Sequence, residues 1–219
     1  RVWVSEIMLQ QTRVEAAKPY FQRFMDTLPD IAALAEAPEE TLLKLWEGLG
    51  YYNRVRNLQK AAIQIMEDYA GIMPDSYEEL LKLKGIGSYT AGAVSSIAYG
   101  KPNPAVDGNV LRVIARIRKD DRCISEDKVK KAVDLWEVIP KDRPGDFNQA
   151  MMEIGACVCI PNGAPHCEEC PLRQICLAYE DRTQQQYPNK AKAKERTIEE
   201  KTILIIRDAE LAVLHKRPA

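Results

Sequence analysis

Few side chains in this chain can do chemistry, and they fall in a small number of stretches. One is Leu83–Arg112, LKGIGSYTAGAVSSIAYGKPNPAVDGNVLR, in which the carboxylate of Asp107 comes twenty residues after Gly87. Gly85 and Gly87 flank Ile86 between two segments of helical periodicity, Tyr77–Lys84 and Ser88–Tyr99. Two glycines in so short a turn permit positive φ and leave backbone N–H groups uncovered. At the start of the next helix those donors suit a phosphate oxygen. A phosphate clamp followed by a carboxylate at the head of GNVLRVIARIR points to chemistry on a nucleic acid. The same residues also suit a tight helix–helix turn with Asp107 as a plain N-cap. A short glycine motif does not decide between the two by itself.

Cysteines are the other candidates. The chain has six, and Cys159, Cys167, Cys170 and Cys176 lie in the loop ACVCIPNGAPHCEECPLRQIC. Three clustered thiols around a CxxC, with a fourth just upstream, can enclose one metal centre. Spacing does not identify the metal, so zinc competes with iron and sulfur. A disulfide framework does not suit an intracellular chain without a signal peptide, and a redox CxxC needs a thioredoxin-like setting that is not visible. Cys123 and Cys157 read as buried spare thiols. Having only two histidines, His166 and His215, argues against Ser–His–Asp catalysis and His-rich metal sites, which leaves carboxylates or cysteines to carry the chemistry. The net charge of -1 gives no overall basic signal. Nucleic-acid contact then falls to local clusters such as Arg54, Arg56 and Lys60, or Arg112, Arg116, Arg118 and Lys119, each of which alone reads as a solvated helix face.

These residues need elements to position them, and 46% hydrophobic content over 219 residues is ample for a core. Ser5 can cap a helix running to about Met25, with Ile7, Met8, Val14, Ala17, Phe21 and Phe24 as its apolar stripe. Glu6 then falls in the first turn, where the helix dipole favours a carboxylate, and Gln10, Gln11 and Thr12 lie on a polar face. Short helices follow at Asp30–Ala35 and Pro38–Leu49. The stretch GLGYYNRVRNL from Gly48 to Leu58 sets Leu49, Tyr51, Tyr52 and Arg54 at the entry to another helix. Aromatics beside arginines can stack on bases and hold phosphates, or can be a C-cap with core tyrosines. That helix turns Val55, Leu58, Ala62, Ile65 and Tyr69 inward and stops at Gly71. Helices at about Ser125–Val138 and Asp146–Cys157 complete an all-α core, with no strand alternation before residue 200.

Residues 182–201 are polar and charged, as in an interdomain linker. Residues 202–219 then read as two strands joined by a turn at Asp208–Glu210, the opening of a second domain. No apolar run has membrane-spanning length and no signal-peptide anatomy is present, so a soluble intracellular protein is expected. The abrupt start in RVWVSEIMLQQ leads us to expect a fragment at that end.

Taken together, SEIMLQQTRV, WEGLGYYNRVRNL, LKGIGSYTAGAVSS, AVDGNVLRV and the four-cysteine loop resemble, in the same order, the helix–hairpin–helix DNA glycosylase superfamily, and within it the adenine DNA glycosylases of the MutY type. The similarity runs from about Val2 to Tyr187, and five collinear motifs are far more specific than any one. The resemblance implies a two-lobed all-α catalytic domain over residues 1–181, with a cluster loop at 159–176. It also implies that residues 202–219 begin a truncated Nudix-like α/β domain for 8-oxoguanine recognition. The implied reaction is hydrolysis of the N-glycosidic bond of adenine opposite 8-oxoguanine or guanine in duplex DNA, by a cytoplasmic, bacterial-type monomer with no membrane partner.

By the same resemblance Glu6 matches the catalytic acid, Asp107 the carboxylate that stabilises the oxocarbenium-like sugar, and Asn109 its supporting asparagine. Gln10, Gln11, Thr12, Leu49, Tyr51 and Arg54 fall where the family meets DNA around 8-oxoguanine, and Gly85 and Gly87 where the hairpin grips the strand. Cys159, Cys167, Cys170 and Cys176 match the ligands of a [4Fe–4S] cluster, with Cys159 preferred over Cys157 because Cys157 would lengthen a first gap already longer than usual. Endonuclease III, a glycosylase/lyase of the same architecture, carries its Schiff-base lysine where this chain has Tyr89, so a monofunctional glycosylase is expected. A non-catalytic DNA-binding module with a structural metal is the alternative from another class.

Overall fold

Two apolar clusters, each fed by its own run of helices, define the architecture. The structure, a computed structural model, describes residues 1–124, 135–191, 198, 200, 207–208 and 211–212. The first cluster gathers α1 (Val2–Leu9), α2 (Val14–Thr27), α3 (Ile31–Glu36), α4 (Glu39–Trp46), α5 (Asn53–Asp68) and α6 (Tyr77–Leu80). Met8, Phe24, Trp46, Leu58, Ile65 and Leu80 are buried within it, and Phe24 meets Trp46 edge to face at 6.1 Å. The second gathers α8 (Gly108–Arg118) and α9 (Pro144–Glu153), through Val110, Leu111, Ile114, Leu135 and Met151. Between the two runs α7 (Ser88–Tyr99) packs against both α1 and α9. Every residue from Thr90 to Ser96 is buried, so α7 has no solvent stripe along its middle.

Several helix boundaries depart from the periodicity for local reasons. The helix expected from Ser5 to Met25 is two. Gln10 leaves helical geometry and Gln11 takes φ 58°, so the chain bends before α2 begins at Val14. Because α1 already starts at Val2, Ser5 sits inside it and its Oγ donates back to the Val2 carbonyl at 2.8 Å. Glu6 is therefore interior, and the dipole reason for its carboxylate falls away. Of the hairpin glycines only Gly85 uses the left-handed region, at φ 79°, where a Cβ would also come within 2.8 Å of Asn57 Cβ. Gly87 is extended and caps α7. The helix expected over Ser125–Val138 lies mostly outside the described residues.

The expected Nudix-like α/β start is corrected. Among the described residues the sheet is limited to a two-rung antiparallel ladder, Arg207–Asp208 with Leu211–Ala212, and a hairpin of that length is marginal without further strands to pair with. The rest of residues 202–219 lies outside the described residues. The first part of the expected linker is tied down: Arg116 Nε donates to the Tyr187 carbonyl at 3.0 Å and Ile124 N–H to the Asn189 carbonyl at 3.0 Å. Among the described residues no helix is long and apolar enough to cross a membrane.

Candidate active site

Glu6 and Asp107 come from opposite lobes and are brought together by α7. Gly87 begins that helix, which places Tyr89 in its first turn facing α1, and the Tyr89 hydroxyl donates to Glu6 Oε2 at 2.5 Å. The same hydroxyl lies 3.3 Å from Met152 Sδ on α9. Burial raises the Glu6 pKa above the ordinary carboxylate range. The Tyr89 hydrogen bond opposes that rise, and the negative charge of Asp107 adds to it. The Tyr89 phenol is itself pushed up, by burial first and then by the charge on Glu6, so it keeps its proton and remains a donor.

Asp107 has different surroundings. It is the N-cap of α8, its Oδ1 accepting from Val110 N–H at 2.8 Å and its Oδ2 from Asn109 Nδ2 at 2.8 Å. The plain-cap reading and the chemical reading are thus compatible in one residue. Asn109 is held in turn by Arg112, whose Nη2 donates to Asn109 Oδ1 at 2.8 Å and to the Gly155 carbonyl at 2.6 Å. Arg112 Nε reaches the Cys159 carbonyl at 2.7 Å. Gly155 makes this approach possible, since a Cβ there would stand 2.5 Å from Asn109 Cβ.

The strap from α7 to Asp107 is pinned by Asn148, which the sequence reading passed over. Its Nδ2 donates to the Asn103 carbonyl at 2.8 Å and its Oδ1 accepts from Ala105 N–H at 3.0 Å. An asparagine on the buried face of α9, between Phe147 and Met151, was the available signal, because a polar side chain there must find partners.

The remaining expected DNA contacts form a separate edge. Gln10, Gln11, Tyr51, Tyr52, Asn53 and Arg54 line an open cavity of about 310 Å³. Tyr51 is 66% exposed at its rim, whereas Leu49 is 8% exposed and belongs to the first cluster. Thr12 is half-buried beside them. Arg54 differs most from expectation. Its guanidinium turns inward to the backbone carbonyls of Ile7, Met8 and Gln10 through Nη1, and of Leu49 and Gly50 through Nη2. Gly85 and Gly87 lie on the α6–α7 turn, where the first amides of α7 have no acceptor within the helix.

The expectation of a [4Fe–4S] cluster, or of zinc, in the 159–176 loop is corrected. Cys159, Cys167, Cys170 and Cys176 line one small cavity with Arg116. Among the described residues, however, no group of three or more His, Cys, Asp or Glu side chains is placed to hold a metal ion. All four are free thiols, and two are engaged elsewhere: Arg116 Nη1 donates to Cys159 Sγ at 3.2 Å and Cys176 Sγ donates to the Arg116 carbonyl at 3.6 Å. Burial pushes the Cys167 and Cys176 thiols up. Of the two spare cysteines, Cys157 is exposed and Cys123 half-buried.

Residues 4–140 match the sequence pattern of the HhH-GPD superfamily of base excision DNA repair proteins. The chain belongs to this superfamily. Within the HhH-GPD proteins it is similar to the adenine DNA glycosylase of Buchnera aphidicola subsp. Acyrthosiphon pisum, with 42% identity over 86% of this chain and 54% of the relative. It is 46% identical to the mouse adenine DNA glycosylase over 82% of this chain and 35% of that protein. The chain thus spans about half or less of the length of these relatives. A trapped covalent complex of endonuclease III with DNA superposes with a TM-score of 0.69 at 30% identity, covering 83% of this chain and 84% of that one.

Proposed function

We propose that this chain is the catalytic part of an adenine DNA glycosylase, which hydrolyses the N-glycosidic bond of adenine opposite 8-oxoguanine or guanine in duplex DNA. The observation that carries the reading is the Glu6–Tyr89 hydrogen bond of 2.5 Å in a buried setting, facing an Asp107 whose oxygens both accept N–H donors. The similarity to adenine DNA glycosylases over more than four-fifths of the chain supports the choice of base.

Bond breaking needs a better leaving group and a stabilised sugar cation, and two carboxyl groups in unlike surroundings supply both. Glu6, whose burial favours the neutral acid, gives its proton to the adenine ring. The C1′–N9 bond breaks with its electron pair going to the base, and C1′ becomes cationic. Asp107, aligned by Val110 N–H and Asn109, faces that cation as a carboxylate. Water then adds to C1′, and its proton returns to Glu6. Tyr89 has no amine and cannot form an imine with the sugar, so the abasic product is released without strand scission. The amides opening α7 hold a backbone phosphate, while Gln10, Gln11, Thr12, Leu49 and Tyr51 face the base opposite adenine. Extruding a base costs a few kcal/mol and least at a mispair, which favours adenine opposite 8-oxoguanine as target.

The test is base release at enzyme excess from a duplex carrying one adenine opposite 8-oxoguanine, analysed before and after alkali. Strand scission only after alkali, lowered about 10²–10⁴-fold in Glu6→Gln, is expected for loss of a general acid. Tight binding without an abasic product, or full turnover by Glu6→Gln, would overturn the assignment.

A further inference from the structure

Arg54 stands at the entry to α5, 42 residues or more in sequence from the carbonyls of Ile7, Met8 and Gln10 and from the Thr12 hydroxyl. One guanidinium nitrogen, Nη1, accounts for the three carbonyls at 3.0, 3.0 and 2.5 Å. The other, Nη2, donates to the Leu49 and Gly50 carbonyls at 3.1 and 3.2 Å. The guanidinium also lies 5.3 Å over the Trp46 ring and 5.8 Å from the Tyr51 ring, and Trp46 Nε1 donates to the Gly50 carbonyl at 3.1 Å. Both bends it touches hold non-glycine residues in left-handed backbone, Gln11 at φ 58° and Tyr51 at φ 49°. Such conformations persist only where the surroundings enforce them.

We propose that Arg54 is a positioning residue for reading the base opposite adenine: it locks the Gln10–Thr12 bend and the Leu49–Tyr51 bend into a single edge. This rests on the function proposed above. The planar fork of an arginine spreads its donors over both bends at once, whereas an ammonium gathers its three donors on one nitrogen and lacks that reach. With Nη1 and Nη2 committed to carbonyls and Nε buried without a hydrogen-bond partner among the described residues, Arg54 is not a phosphate ligand, although its place beside Tyr51 and Arg56 in the sequence fits one equally well.

The experiment compares the chain with Arg54→Lys, and with Arg54→Gln as the second variant. Three readouts are taken: single-turnover adenine release opposite 8-oxoguanine and opposite guanine, the salt dependence of duplex affinity, and amide hydrogen exchange. Expected are an 8-oxoguanine-over-guanine rate ratio reduced about tenfold or more, a rate opposite guanine within about threefold, and an unchanged salt slope. Exchange should quicken at Gln10–Thr12 and Gly48–Tyr51 together. An unchanged ratio, equal loss on both duplexes, or a salt slope reduced by about one phosphate contact would overturn the proposal. So would loss of the native circular dichroism in both variants, which would make Arg54 a residue of the fold only. If the unsubstituted chain releases no adenine, the proposed function fails. The exchange comparison then still decides the coupling of the two bends, and faster exchange at only one of them, or at neither, overturns it.

Discussion

The two carboxyl groups that face each other across the lobe seam are held by opposite physics. Glu6 belongs to the helix-rich first lobe, where burial dominates and its hydrogen-bond donor among the described residues is a phenol. Asp107 belongs to the second lobe, where a backbone amide and an asparagine amide meet its two oxygens and an arginine stands behind the asparagine. Burial favours the neutral form of the first, whereas the second is held in place by hydrogen bonds. The reaction proposed above uses this difference, with Glu6 as the proton donor and Asp107 as the electrostatic partner. The same difference makes the halves separable by substitution.

The largest effect expected is on chemistry in the Asp107 half. Asp107→Asn should slow adenine release about 10²–10³-fold, the scale for removing a preorganised electrostatic stabiliser. Asparagine caps a helix about as well as aspartate, so the thermal midpoint should stay within a few degrees. A large fall in stability would mean that the web around Asp107 serves the fold before the reaction. Next is Gly155→Ala, whose Cβ would press on Asn109 Cβ at 2.5 Å. Displacing the segment should cost about 1–3 kcal/mol in denaturant unfolding and should lower the excision rate through Asn109, whereas an unperturbed rate would detach Gly155 from the site.

The Glu6 half makes the opposite prediction for stability. Its pKa is raised in the folded state, so ionising it opposes folding. The contribution of Glu6 is most favourable below the ordinary carboxylate range and is lost as pH rises through its native pKa. Glu6→Gln should therefore raise the melting temperature at pH 7–8 by roughly 2–4 °C, on the order of 1 kcal/mol, while losing activity. The gain should vanish as pH falls below the native Glu6 pKa. A variant equally stable at all pH values would remove the burial argument. The smallest change concerns the pH profile: the single-turnover rate should decline as pH rises above the native Glu6 pKa, and the decline should be absent from the residual rate of Glu6→Gln.

How much of this was legible depended on whether the cause was local. The span of α7 could be read residue by residue, because its stop at Gly100 in left-handed geometry is a signal carried by one glycine. Asp107 as a cap was equally legible from position, and its pairing with Glu6 came through the order of motifs. The break at Gln10–Gln11 was hidden, since neither residue is a glycine or a proline and the forces that hold the bend come from Arg54, some forty residues away. Arg54 itself looked like a surface cation because charge and neighbours do not say which way a side chain points. The four thiols looked like one ligand set because spacing is visible in sequence, whereas the contacts of Cys159 and Cys176 with Arg116 are not.

Tyr89 touches Glu6 across 83 positions of chain, and Arg112 touches the Cys159 carbonyl across 47. The candidate site thus joins short-range contacts around Asp107 to contacts of high sequence separation, whose loop-closure cost must be met before they contribute. During synthesis a nascent chain released only as far as α8 has both carboxyl groups but lacks the acceptors on the Ile154–Val158 segment and beyond it that hold Arg112. The Arg112 bracket that holds Asn109 behind Asp107 is therefore completed only when the segment around Cys159 emerges, well after Glu6 and Asp107 have left the ribosome.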